Sequence, residues 1–265
     1  NPVFAGRRFN NGLGHLLSVF YGYPTFAWVP THNLNHHRHV NRAGDATITW
    51  RFSDRHNLFV ATTYFFVSSY YQAEPIQAFV RRAKLDNRPL YHRILFQYGV
   101  WIVTWASLFI LAIAWYGPRP GVRLWLLAVG LPSLFTLWAI MLFNYEQHVH
   151  TDPWSEHNHS RNFTSKVLNW LLFNNGFHTA HHEYPGLHWT RLPAAHEKIS
   201  HLIHPELIHR SMWLHFARQF VLAPLKPSMG TRQIGRAAFD EAEQTTKDPR
   251  ASKEVLRGIG VTNEI

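Results

Sequence analysis

Three short stretches of the chain concentrate imidazole. THNLNHHRHVNRAGD (31–45) holds His32, His36, His37 and His39; FNYEQHVHTD (143–152) holds His148 and His150; FHTAHHEYPGLHW (177–189) holds His178, His181, His182 and His188. With 20 His and no Cys, disulfides, thiolate metal sites and a Cys nucleophile are excluded together, and metal ligation falls to nitrogen. On a helix, His32 and His36 are four apart and share a face, with His37 about 100° around. Asn144 and His148 have the same spacing, as do His178 and His182, with His181 flanking. Clustered imidazoles without a metal would repel one another as they protonated. Imidazole suits Fe, Cu, Zn and Ni. One four-coordinate Zn would leave several ligands unused, and two metals use them better.

The other histidines (His15, His56, His92, His157, His159, His188, His196, His201, His204, His209 and His215) read as ordinary solvated or core side chains. His39 and His150 stand beside ligand candidates and read as groups able to orient them.

These clusters need elements that bring them together. Aromatics make up 15% of the 265 residues, and the 26 Lys+Arg against 16 Asp+Glu leave a net charge of +10. A basic excess fits a nucleic-acid binder or a membrane protein with a basic cytoplasmic face, and two apolar blocks decide for the membrane. No charge occurs from Leu95 to Pro118 or from Leu124 to Tyr145. Each block exceeds the roughly 20 helical residues that cross a bilayer. The link GPRPGVR (117–123) is only a turn. The expected architecture is therefore all-α: an integral membrane helical protein with a transmembrane hairpin at about 95–117 and 124–145. The segments 9–30 and 57–71 read as interfacial helices. Arg81, Arg82, Lys84, Arg88 and Arg93 precede the hairpin and only Arg119 and Arg123 occupy its turn, so the outer ends face the cytoplasm. That topology returns His148 to the side that holds the other clusters and yields a cytoplasmic His-rich helical cap. The chain divides into a membrane domain, 1–225, and a polar C-terminal tail, 226–265. No repeat is visible.

HNLNHH (32–37), NYEQH (144–148) and HTAHHEYPGLHW (178–189) resemble the membrane fatty acid desaturase superfamily over roughly residues 1–200. His32, His36 and His37 match that family's second histidine box, and His178, His181 and His182 its third. The family also places a His after its last membrane helix, four residues past an Asn that holds a metal-bound water; His148 and Asn144 fit. The first box is missing, and the resemblance implies a chain that starts just downstream of it, with seven of the usual nine His ligands.

The resemblance implies two non-haem irons and O₂ as co-substrate, with electrons from a cytochrome b5-like or ferredoxin-like donor. The implied substrate is an acyl lipid held in an apolar slot at the membrane, and nucleic acid is not a partner. O₂ activation requires a redox metal with open positions, which excludes Zn as the working ion. Carboxylates able to fix imidazole tautomers are Asp45, Glu146, Asp152 and Glu183, each near a ligand and each equally readable as a surface charge. The leading function is acyl desaturation. A lipid, carotenoid or alkane hydroxylase or ketolase shares the same ligands, and a non-catalytic metal-binding fragment is the alternative of another class.

Overall fold

The computed structural model describes residues 3, 4 and 6–240, so the expected polar tail is described only as far as Asp240. The chain is mostly helical. In order it forms α1 (Arg7–Tyr21), a π-helical stretch (Val29–His36) running into α2 (His37–His39), α3 (Leu58–Asp86), α4 (Arg88–Tyr116), α5 (Pro118–Trp125) and α6 (Leu131–His148). After these come β1 (Asn162–Phe163), α7 (Lys166–Leu171), α8 (His178–Glu183), α9 (Leu192–Ile199), β2 (Ile208–His209) and α10 (Met212–Phe216). Two compact units are drawn from alternating parts of the chain. One takes the described residues up to Leu34 and Gln72–Met141; the other takes Asn35–Tyr71 and the described residues from Leu142 onward.

The first of these units carries the hairpin. Asn87 caps α4 by accepting from the Leu90 amide (3.0 Å), and Pro89 sits in its first turn, where a missing N–H costs nothing. Gly117, at φ +82°, ends α4, and Pro118 begins α5. A Cβ on Gly121 would lie 2.5 Å from the Ala112 carbonyl oxygen, so the two helices close only because this residue is glycine. Arg88–Tyr116 and Pro118–His148 are each long and apolar enough to cross a membrane. Phe96, Ile102, Val103, Ile110 and Trp115 are exposed along α4, as a lipid-facing surface requires. Tryptophan and glutamine tie α1 to the hairpin. Trp105 Nε1 donates to the Val19 carbonyl (2.9 Å), and Gln97 Oε1 accepts from the Phe26 amide (3.0 Å).

Two boundaries differ from the sequence expectation. The helix that holds the first apolar block begins at Arg88, because the turn capped by Asn87 extends it beyond the charge-free window. The segment 57–71 is no short interfacial helix: α3 runs 29 residues to Asp86, and Pro75 does not end it. Gln, Ala, Arg and Lys, all good helix formers, fill its second half.

The second unit is built around irregular backbone. Ala180, Leu192, Ile199, Ile203, Leu207 and Ile234 form one core beneath α8 and α9, and Phe143, Phe163 and Leu168 form another. β1 and β2 pair in parallel, Asn162 with Ile208 and Phe163 with His209. Gly176 comes two residues before α8. A Cβ there would lie 2.2 Å from the Phe163 carbonyl oxygen, while the Phe163 amide donates to the Gly176 carbonyl (2.8 Å). Asn169 braces both sides of this contact, donating to the Phe163 carbonyl (2.8 Å) and accepting from the Gly176 amide (3.0 Å). Gly176→Ala should therefore cost about 1–3 kcal/mol as an overpacked site, whereas Gly186→Ala, with nothing within 4 Å, should be tolerated. Thermal unfolding of the two variants in detergent checks this. Equal midpoints would contradict the backbone-contact argument.

Candidate metal centre

The first histidine cluster owes its placement to the backbone that follows it. α2 stops at Val40, whose φ of +42° is left-handed, and Asn41 continues at +62°. A β-branched residue there is strained by about 1–3 kcal/mol. The strain is held by Asn41. Its amide donates to Asp45 Oδ2 (2.7 Å), its side chain donates to the His148 carbonyl (3.0 Å), and its Oδ1 accepts from the Thr49 amide (2.8 Å). The turn swings Asp45 back against His36.

Asp45 Oδ2 lies 2.7 Å from His36 Nδ1 and the pair is buried. Burial alone would raise the Asp45 carboxyl. The His36 imidazole, with the hydroxyl and amide of Thr47, outweighs it and holds the group well below the usual carboxylate range. An ionised carboxylate accepts only, so His36 carries a proton on Nδ1, and Nε2 is the nitrogen left to face the cluster. His148 is fixed in the same way by the main chain, with Nδ1 3.1 Å from the His159 carbonyl oxygen. Its Nε2 is therefore also left to face the cluster.

These two nitrogens face each other at 3.1 Å. His148 Nε2 is also 3.0 Å from His178 Nε2, which is 3.1 Å from His182 Nε2. Four imidazole nitrogens thus crowd one point, all within 4.8 Å of one another. Two opposed lone pairs repel unless a cation lies between them. Nitrogens 3.0–3.1 Å apart can both stand about 2.1 Å from one metal ion. The donor set fits a transition metal in its chemistry as well as its spacing. Burial, with the neighbouring imidazoles His181 and His36, pushes His37 down to about 3. Burial and His36 push His181 down to about 4, and burial with His178 takes His182 well below its ordinary value. At neutral pH these are neutral ligands ready for metal.

A second group stands beside the first. His37 Nε2 and His181 Nε2 are 3.1 Å apart. His32 belongs to the other unit, where its ring meets Trp28 edge-on at 5.4 Å. Asn144, expected to hold a metal-bound water, donates to the Tyr64 hydroxyl (3.0 Å), which donates to the Thr47 carbonyl (2.6 Å).

Of the proposed orienting groups, Asp45 meets a candidate ligand. Glu146 is fully buried but takes His56 Nε2 (3.0 Å) and His215 Nε2 (2.9 Å). It lies two residues before His148 on α6, so its side chain points to another side of the helix. Glu183 pairs with His157 Nδ1 (2.6 Å), and Asp152 accepts from the Trp154 amide (3.0 Å). His150, at φ +58°, turns its ring to Thr231 Oγ1 (3.0 Å), and His39 packs over Gly44. The sequence reading missed Thr47, Asn41 and the His159 carbonyl. It also took His56, His159 and His215 for ordinary side chains. His159 is buried with its ring 5.4 Å from that of His182, and the other two flank a buried carboxylate.

A family model described as fatty acid desaturase matches residues 2–222. The chain belongs to the membrane fatty acid desaturase superfamily. No curated protein and no solved structure matches it.

Asp45→Asn should lower metal affinity about 10–100-fold while leaving helix content unchanged, because the amide no longer fixes the His36 tautomer. Competition with a graded chelator measures this; parent-like affinity in Asp45→Asn would refute the tautomer argument.

Proposed function

We propose that the chain is the catalytic part of an O₂-dependent fatty acyl desaturase with two non-haem irons. The observation that carries the reading is the convergence of His36, His148, His178 and His182 through Nε2 atoms 3.0–3.1 Å apart, in a chain of this family. These four would hold one iron. His37 and His181 would hold the other, and the His-x3-His-His motif carries His32 into that set. Asn144 would hold a water.

Iron bound there supplies the O₂ activation needed to remove hydrogen from an unactivated methylene. In balance, two adjacent CH₂ groups lose two hydrogens and become CH=CH. O₂, with those hydrogens, two donor electrons and two protons, becomes two waters. The chain's own groups prepare this chemistry. Asp45 and the His159 carbonyl hold protons on Nδ1 of His36 and His148, which leaves Nε2 free for metal. Burial keeps His37, His181 and His182 neutral. The substrate is an acyl lipid in the membrane crossed by the two apolar helices, with the histidines on the cytoplasmic side. There the basic surface, net +10 over the chain, docks an acidic donor of cytochrome b5 or ferredoxin type.

His36→Ala and His181→Ala should each abolish metal retention and product, while His209→Ala should retain the metal. Mass spectrometry of lipids from cells expressing the chain distinguishes an alkene, two hydrogens lighter than its substrate, from an alcohol, one oxygen heavier. An alcohol would move the assignment to hydroxylation. A folded protein that holds zinc and consumes no O₂ with reductant would leave only a metal-binding role.

A further inference from the structure

A cavity of about 580 Å³ lies in the unit that carries the imidazole cluster, and none of its lining residues is a proposed metal ligand. Its wall holds Arg161, Arg218 and Arg232, with Glu206, His209 and His215. The charges do not cancel. Arg232 is bonded to Glu206 through two nitrogens, so the one carboxylate in the wall is spent. Arg218 is exposed and forms no ion pair among the described residues.

Arg161 is the unusual member. It is 1% exposed, on a side chain that carries five N–H donors. It donates through Nη1 to the Glu146 carbonyl, and its Nε finds no partner among the described residues. The Glu146 carboxylate reaches it only through space, because both carboxylate oxygens are engaged by His56 and His215. His209 Nε2 is also buried without a partner among the described residues. A guanidinium taken out of water with donors unpaired is costly, and an anion bonded to it removes that cost. Two arginines on one wall suit a tetrahedral oxyanion, which guanidinium binds through paired N–H bonds.

We propose that this cavity is a binding site for a phosphate group, held by Arg161 and Arg218 with His209 as a further donor, separate from the metal centre. The volume exceeds what a free phosphate needs and lies in the range of small-molecule pockets. The phosphate therefore enters either as the free ion or as the head of a larger ester, of which a phospholipid is the form a membrane supplies.

The test uses the full chain in nanodiscs in two arms. In one, discs of a neutral glycolipid are dialysed against radiolabelled inorganic phosphate. In the other, phosphate-free buffer is used and phosphatidic acid is titrated into the discs, followed by native mass spectrometry. Saturable binding in either arm, weakened at least tenfold by Arg218→Gln, supports the site. The arm that shows it names the source. Arg161→Lys should weaken the same binding. Should that buried variant fail to fold, Arg218→Gln, at an exposed position, still decides, with unchanged metal content as the check on its fold. Absence of saturable binding in both arms, or binding that Arg218→Gln leaves intact, overturns the proposal.

Discussion

Two imidazole lone pairs pointed at each other across 3.1 Å set the terms for the rest of the site. Neither His36 nor His148 can relieve the repulsion by moving its proton to Nε2. Asp45 holds it on one ring and a main-chain carbonyl holds it on the other. With both rings neutral, a metal ion between the two nitrogens removes that repulsion. Metal binding there would be coupled to folding, because each nitrogen must be unprotonated to coordinate.

The supports of that constraint are mostly main-chain. The left-handed turn at Val40 and Asn41 returns Asp45 to His36, and Asn41 ties the same turn to the carbonyl of His148. Arg161 holds the carbonyl of Glu146 and its own amide holds that of Gln147, so the end of α6 is gripped just before the ligand. Gly176 and Asn169 set the start of α8 through contacts no side chain could replace. Each device fixes backbone, and backbone fixes the direction of an imidazole.

This division explains what the sequence made legible. The histidine boxes stand out because helical spacing is local: four residues bring two side chains to one face. The hairpin stands out because charge-free length is a direct requirement of the bilayer. Asp45 was one of four acidic candidates, and spacing alone does not separate it from Glu146, Asp152 and Glu183. Only the turn at Val40 does, and a valine gives no sign of left-handed backbone. The carbonyl of His159 carries no side-chain signature at all. His56 and His215 meet Glu146 from 90 and 69 residues away, a separation no periodicity reports. The length of α3 was hidden because its second half, from Gln72, is polar and charged and breaks the apolar run.

The account rests on a cation shared by these nitrogens. The most direct measurement is metal analysis joined to X-ray absorption at the iron edge on the anaerobically purified full chain. It predicts retained iron with a nitrogen-rich first shell at about 2.1 Å and the multiple-scattering signature of imidazole. A folded chain that holds no metal after iron loading, or iron ringed by oxygen without imidazole scattering, would contradict it.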